Sequence, residues 1–235
     1  MKWRSKSWMQ SASHAIEGII YSVKTQRHMR YHLFAALVTL VLGLGLSITR
    51  IEFILLCMAI ILVLATEMLN TAIEVTVNMI SDTFHPLAKI AKDIAAGVVL
   101  LASFGALTLA YLILYPALTA AIARGQWHLQ KAPNDVIAFV SLAVVVIVVI
   151  FIKALLGKGD PLHGGMPSGH AAVSFSIWAA AVYLTGSLPV AVLTFILALM
   201  VSWSRWSSGI HRPIEVLAGA GIGAGLTALF FVIFS

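Results

Sequence analysis

Residues 136–152 read VIAFVSLAVVVIVVIFI, a run without a charged side chain. A helix that crosses a bilayer needs about 20 predominantly apolar residues, so this run predicts a membrane span. Other charge-free runs lie at 33–48, 53–66, 94–123, 171–203 and 216–234, and the apolar pattern of the second continues past Glu67 to Ile80. The run 171–203 is too long for one span, and Gly186-Ser187-Leu188-Pro189 predicts a turn that divides it. We therefore expect an all-α, polytopic membrane protein with about seven transmembrane helices.

The composition also indicates a membrane protein. Of the 235 residues, 60% are hydrophobic and 10% are charged, whereas about a quarter are charged in a soluble domain. That balance excludes an ordinary soluble protein and a disordered one. The net charge of +6 comes from short basic clusters between apolar runs, which is typical of membrane proteins, so we expect no nucleic-acid partner. Cys57 is the only cysteine, which excludes a disulfide framework.

The N-terminal segment, residues 1–30, carries six basic residues and no long apolar core, so it is not a signal peptide. We expect an amphipathic helix lying in the membrane interface, with an apolar face formed by Trp8, Ala12, Ala15, Ile16, Ile19 and Val23. If the N-terminus is cytoplasmic, twelve of the 15 Lys and Arg residues fall on the cytoplasmic side, as the positive-inside rule favours. The expected location is the bacterial cell membrane.

The stretch from Pro116 to Pro133 is the only sizeable soluble connection in the sequence. It predicts a three-span domain at 1–117, an extracytoplasmic linker at 118–133 and a four-span domain at 134–235. Counting spans from a cytoplasmic N-terminus places the polar motifs of both domains on the cytoplasmic face.

A polar stripe runs along the second span. Glu67, Asn70, Thr71, Glu74 and Asn78 lie three or four residues apart, so they share one helix face. One interpretation is a seam that joins helices by hydrogen bonds. The presence of two carboxylates favours a second interpretation, an active site in which one carboxylate holds Mg²⁺ and the other acts as a base.

This stripe and the segment after it resemble a known family. Glu67-Met-Leu-Asn70-Thr-Ala-Ile-Glu74 and His85-Pro86-Leu-Ala-Lys89-Ile-Ala-Lys92-Asp93 are similar to the signature of the small bacterial diacylglycerol/undecaprenol kinases, over about residues 10–116. The resemblance implies a homotrimer that transfers the γ-phosphate of ATP to a lipid hydroxyl with Mg²⁺. It implies Glu67 as base, Glu74 and Gln26 at the metal, Asn70 as a site-shaping group, and nucleotide contacts from His14, His85, Lys92 and Asp93.

Two positions depart from that family pattern. Gln26 stands where the family has a metal-binding Glu, and Asn78 stands where it usually has Asp. Each change removes a carboxylate, although an amide oxygen can still contact Mg²⁺. The alternative to an active kinase is a kinase fold kept as a trimer scaffold or lipid-binding element.

The last four spans carry a second polar set at their ends. Lys153, Arg205 and the backbone N–H groups of Ser168 and Gly169 at a helix N-terminus form a candidate anion site. His211 precedes Glu215 by four residues, which places a carboxylate beside an imidazole, as in a nucleophile and its orienting group. His170 is a candidate general acid for the leaving oxygen.

These motifs, Pro167-Ser168-Gly169-His170 and Ser204-Arg205 through His211 to Glu215, resemble the type-2 phosphatidic-acid phosphatase superfamily over about residues 134–235. The resemblance implies a cofactor-free phosphohydrolase in which His211 is the nucleophile, His170 the acid, Glu215 the orienting group, and Lys153, Ser168, Gly169 and Arg205 hold phosphate. Glu215 replaces the usual Asp. Asp160 replaces an Arg of the first motif, and Lys158, His163 and Arg212 are candidates for the missing cation.

The sequence thus favours a membrane lipid phosphatase fused to a lipid kinase-like domain. Two other classes stay open, a non-enzymatic lipid-binding scaffold and a transporter, although the paired broken helices or inverted repeats of a transporter are not evident. The lipid phosphate, whether phosphatidylglycerophosphate, phosphatidate or a polyprenyl phosphate, is left open.

Overall fold

The computed structural model describes residues 8–46, 48–80, 83–123, 131–156 and 165–235. These residues form eight helices and no strand: α1 (Trp8–Thr25), α2 (Arg27–Gly45), α3 (Arg50–Ile80), α4 (Pro86–Ala123), α5 (Asn134–Leu156), α6 (Gly169–Thr185), α7 (Leu188–Ser207) and α8 (Pro213–Phe234). Six of the described helices are long and apolar enough to cross a membrane, and α6 is a shorter apolar helix. The expected all-α, polytopic membrane fold is confirmed.

The helices form two compact units. The first contains residues 1–24 and 131–235, and the second contains residues 25–130. In the second unit, α3 packs against α4 and α2. In the first unit, α6 lies at the centre and packs against α5, α7 and α8.

The turn expected between the two spans of 171–203 is present. Gly186 caps α6 with φ +58°, a left-handed conformation that glycine adopts without steric cost. Its N–H donates to the Val182 carbonyl at 3.0 Å, and α7 begins with Leu188 and Pro189. The helix therefore ends at the predicted position.

The helix before the expected linker extends into it. α4 continues through Pro116 to Ala123, so residues 118–123 of the stretch expected as a linker are helical. Pro116 lacks the N–H that would bond the carbonyl four residues earlier, that of Leu112, and the loss of this one bond does not end α4. On its C-terminal side, the Thr119 hydroxyl donates to the carbonyls of Tyr115 at 3.1 Å and Pro116 at 3.0 Å.

The amphipathic helix expected at the N-terminus is present as α1. Ser13, Ile20, Ser22 and Val23 are buried, whereas Ala15 is exposed. Val23 thus lies on the buried face as expected, and Ala15 does not.

Candidate active sites

The start of α6 and the start of α8 are held together by a ladder of small residues. A Cβ added to Gly219 would collide with the Ser168 carbonyl oxygen, and one added to Gly223 would collide with that of Ala172. One turn further on, the hydroxyls of Ser176 and Thr227 are 2.7 Å apart. Small residues at four-residue spacing allow membrane helices to approach this closely.

The sequence motifs did not predict this ladder. The spacing of Gly219 and Gly223 is a small-xxx-small pattern, which could have indicated a close helix pair. The pattern does not name the partner helix, so only the fold shows that α6 is that partner.

His211 lies in the turn between α7 and α8, and its side chain is 1% exposed. Its Nδ1 is 2.8 Å from Glu215 Oε2, and its backbone N–H donates to the Arg205 carbonyl at 3.1 Å. The Glu215 carboxylate also accepts the Arg212 N–H at 3.3 Å. A carboxylate can only accept, so Nδ1 carries the proton and Nε2 keeps its lone pair.

Burial lowers the pKa of His211 below its ordinary value, and the Lys153 and Arg205 cations act in the same direction. The hydrogen bond to Glu215 opposes this by stabilising the charged ring, but burial is the larger effect. His211 is therefore a neutral imidazole at pH 7, which is the form that can attack a phosphorus atom.

Ser168 sits at the N-terminus of α6, where an anion site was expected. Its N–H donates to the Glu215 carbonyl at 2.9 Å, so this N–H is not free to bind an anion as the sequence analysis expected. The Ser168 hydroxyl is instead the available group: it is fully buried and has no hydrogen-bond partner among the described residues. Arg205 Nε is likewise buried and has no hydrogen-bond partner among the described residues.

The remaining predicted residues cluster with these. His170 interacts electrostatically with Arg205, His211 and Lys153. Lys153 also interacts with Glu215. The first unit therefore brings together the residues predicted for phosphate chemistry, namely Lys153, Ser168, Gly169, His170, Arg205, His211 and Glu215. Lys158, Asp160 and His163 lie outside the described residues, and Arg212 is exposed at the N-terminus of α8.

In the second unit the polar stripe of α3 is largely buried at its centre. Glu67 is 2% exposed and Asn70 is 8% exposed, and the Asn70 side-chain oxygen has no partner among the described residues. Thr71 is also buried, and its hydroxyl donates to the Glu67 carbonyl at 2.9 Å. A buried carboxylate and an unpartnered amide oxygen in one membrane helix suit a polar ligand better than a simple helix seam.

Gln26 lies beside Glu74 as the resemblance to the kinases implies. The contact is a hydrogen bond from Gln26 Nε2 to Glu74 Oε2 at 2.9 Å. The amide N–H directed at the carboxylate is a donor, whereas a shared Mg²⁺ needs an acceptor oxygen from each residue. No group of three or more His, Cys, Asp or Glu residues is placed for a metal ion in the described part of the chain. In this arrangement Gln26 and Glu74 do not fit a shared Mg²⁺.

The predicted nucleotide contacts are distributed over both units. Lys92 Nζ donates to Asn78 Oδ1 at 2.6 Å, and Asp93 pairs with Lys89 at 3.5 Å. His85 is exposed, and its Nδ1 accepts the Leu87 N–H at the start of α4. His14 belongs to the first unit, where its Nδ1 lies 3.2 Å from Glu17.

Comparison with known proteins finds two families, in separate parts of the chain. Residues 13–114 match the model of the prokaryotic diacylglycerol kinases, and residues 153–235 match that of the PAP2 superfamily. An undecaprenol kinase of Bacillus subtilis is 38% identical over 111 residues, which cover 47% of this chain and 90% of that protein. A diacylglycerol kinase of Synechocystis is 38% identical over 109 residues, covering 46% and 62%.

The diacylglycerol kinase of Escherichia coli K12 is 30% identical over 94 residues, which cover 40% of this chain and 77% of that protein. No solved structure matches the chain.

Proposed function

Because the chain belongs to the prokaryotic diacylglycerol kinase family over residues 13–114 and carries a PAP2 superfamily domain over 153–235, we propose that it is a membrane lipid phosphatase fused to a lipid kinase-like domain. The phosphatase site consists of His211, Glu215, His170, Arg205, Lys153, Ser168 and Gly169. Its substrate is a lipid phosphomonoester or diphosphate.

The pair of His211 and Glu215 carries the proposal. With the Nδ1 proton held by the carboxylate at 2.8 Å, the Nε2 lone pair attacks phosphorus and the P–O bond to the lipid breaks. His170, which the negative charge of the bound phosphate keeps protonated, donates a proton to the departing oxygen, so the lipid leaves as an alcohol from a monoester or as a monophosphate from a diphosphate. His170 then takes a proton from water, the resulting hydroxide attacks the phosphohistidine, and inorganic phosphate leaves.

The groups around the transferred phosphoryl group stabilise its negative charge. Arg205 and Lys153 supply positive charge, and the buried Ser168 hydroxyl supplies a donor that has no partner in the described part of the protein. Donors held in place before the reaction stabilise developing charge without reorganisation. The chemistry uses no bound cofactor.

Phosphate release by the purified full-length protein tests this proposal. The substrates are phosphatidate, phosphatidylglycerophosphate and undecaprenyl phosphate in detergent micelles. We expect His211→Ala to abolish release and His170→Ala to slow it by about 10²–10⁴-fold, the range of a general acid. His14→Ala, which changes an exposed histidine of α1, is the control and should release phosphate at the wild-type rate. Turnover of His211→Ala close to wild type would refute the assignment.

The kinase-like domain supports a second candidate activity. Its curated relatives are named undecaprenol kinase and diacylglycerol kinase, which favours transfer of a phosphoryl group from ATP to a lipid alcohol. For this activity we propose the buried Glu67 as the base and a homotrimer as the assembly. Gln26 argues against it, because its amide N–H bonds Glu74. Incorporation of labelled γ-phosphate into diacylglycerol or undecaprenol distinguishes an active kinase from a scaffold.

A further inference from the structure

Two contacts fix the register of the helix pair α6 and α7. The helices run in opposite directions, because only residues 186–187 separate them. The Trp178 indole N–H donates to the Ala191 carbonyl at 3.1 Å, and the rings of Phe175 and Phe195 meet edge to face with centroids 5.9 Å apart. A step back along α6 from Trp178 to Phe175 therefore corresponds to a step forward along α7 from Ala191 to Phe195.

Ser202 continues the side of α7 that makes these contacts. This side is formed by residues three or four positions apart, namely Ala191, Phe195, Ala198, Ser202 and Arg205. Ala198 is 2% exposed and Ser202 is 6% exposed, so the packed face of α7 reaches at least as far as Ser202.

The same register brings Ser202 to the start of α6. Ser202 lies seven residues after Phe195, and Ser168 lies seven residues before Phe175. Seven residues make about two helical turns, so each serine lies on the same side of its helix as the phenylalanine. Ser202 is therefore level with Ser168, at the end of the helix pair that carries the candidate phosphatase site.

Three buried polar atoms at this end have no hydrogen-bond partner among the described residues. They are the hydroxyl oxygens of Ser168 and Ser202 and Nε of Arg205. Serines on facing membrane helices often join them by a hydrogen bond, but these two hydroxyls do not bond each other. Leaving three buried donors unpaired is costly, and one ligand with several acceptor oxygens would pair them all. A phosphoryl group is such a ligand.

We propose that the Ser202 hydroxyl is a further phosphoryl contact of the phosphatase site and donates to an oxygen of the group that His211 attacks. This inference rests on the proposed phosphatase function. It adds a residue outside the sequence motifs, because Ser202 precedes the Ser204-Arg205 motif. Ser202 lies about 4.5 Å further from the end of α7 than Arg205 does, so the two side chains approach the phosphoryl group from different depths.

Phosphate release from phosphatidate in micelles is the first test. We expect Ser202→Ala to lower kcat/KM by about 10–100-fold, as the loss of a hydrogen bond to a charged group would. Ser207→Ala is the matched control, because Ser207 is an exposed serine in the last turn of α7 whose hydroxyl donates to the Ser204 carbonyl of the same helix. This control should release phosphate at the wild-type rate.

Thermal unfolding of the purified full-length protein in detergent separates a ligand contact from a packing role. Without an added anion, Ser202→Ala should unfold at the wild-type temperature or above it, because the change removes a buried hydroxyl that bonds no described residue. Stabilisation by orthovanadate, an inorganic analogue of phosphate, should require about 10–100-fold more anion than in the wild type. A lower unfolding temperature with an unchanged anion requirement would show a packing role and refute the contact.

Failure of the contact and failure of the function give different results. Wild-type turnover and wild-type vanadate affinity in Ser202→Ala would overturn the contact and leave the phosphatase intact, as would be seen if a water molecule bonded the two serines. If the wild type neither releases phosphate from a lipid phosphate nor is stabilised by vanadate, the phosphatase function is overturned and the contact with it.

Discussion

The main-chain N–H of Ser168 donates to the main-chain carbonyl of Glu215 at 2.9 Å. The carboxylate of the same Glu215 holds His211 Nδ1 at 2.8 Å. Glu215 therefore connects two parts of the site. Its carboxylate bonds His211, and its main-chain carbonyl bonds Ser168, two residues before His170. A change in the spacing of α6 and α8 must alter the position of His170 relative to His211.

Gly219 is the position at which that spacing can be changed with one methyl group. In Gly219→Ala the new Cβ meets the Ser168 carbonyl oxygen, so α6 and α8 must separate. We expect kcat to fall about 10²-fold, because a displacement of about 1 Å costs that much in a preorganised site, and stability to fall by about 1–3 kcal/mol from overpacking. Phosphate release and thermal unfolding in detergent measure the two effects.

Gly221→Ala is the control for that change. Gly221 lies on the same helix, and a Cβ there meets nothing within 4 Å. Its stability should stay the same or rise by up to about 1 kcal/mol, since alanine is the better helix former, and its kcat should not change. Equal activity of the two variants would show that the close approach does not position the site.

The charge state of His211 predicts the acid limb of the pH profile. Because burial lowers its pKa, the ring stays neutral as the pH falls below the ordinary histidine value of about 6.5. Activity should therefore persist into that range and be lost only when the pH passes through the lowered pKa and Nε2 is protonated. The measurement is kcat/KM against pH, and an acid limb above the ordinary histidine value would contradict the assignment.

Glu215→Gln should move that limb in a defined direction. The hydrogen bond and charge of Glu215 raise the pKa of His211, so their loss shifts the acid limb to lower pH. The rate at pH 7 should still fall, by about 10²–10⁴-fold, because the ring loses the carboxylate that orients it and stabilises its charged form. A structural defect alone would lower the rate without moving the limb.

Gln26 predicts a gain of function in the kinase-like domain. Gln26→Glu replaces an amide donor by a second carboxylate next to Glu74, and two carboxylates repel unless a cation is shared between them. We expect Mn²⁺ binding, seen by paramagnetic resonance, and Mg²⁺-dependent transfer from ATP to appear or increase. Adding Glu74→Gln to Gln26→Glu should reverse both. If Mn²⁺ does not bind to Gln26→Glu, the cation site is wrongly assigned.

The orientation predicted from the charges can be tested with cysteines. In a Cys57→Ser background, Phe84→Cys and Met166→Cys should be shielded from an impermeant thiol reagent in intact cells, and Lys131→Cys should be labelled. All three residues lie in described segments outside the helices, and Phe84 and Met166 are exposed. Labelling at Met166→Cys but not at Lys131→Cys would show the phosphatase domain in the inverted orientation.

The amino-acid sequence by itself determined the class of fold and the chemical type of each site residue. A charge-free run long enough to span a bilayer has few alternatives to a helix, because every backbone group must be bonded inside the membrane. The break at Gly186 and the spacing of His211 and Glu215 are likewise local, since each depends on residues at most four positions apart.

The end of α4 could not be predicted in this way. Pro116 predicts a helix end, but a proline removes only one backbone N–H from a long apolar helix, and the helix continues to Ala123.

Only the tertiary structure decided what the polar groups bond to. It is the packing of α6 on α8 that directs the Ser168 N–H to the Glu215 carbonyl and leaves the Ser168 hydroxyl without a partner among the described residues. It is likewise the fold of the second unit that brings Gln26 to Glu74, 48 positions apart. Such contacts depend on the distance between helices, which is set by side-chain volumes on both partners and not by the local pattern of either one.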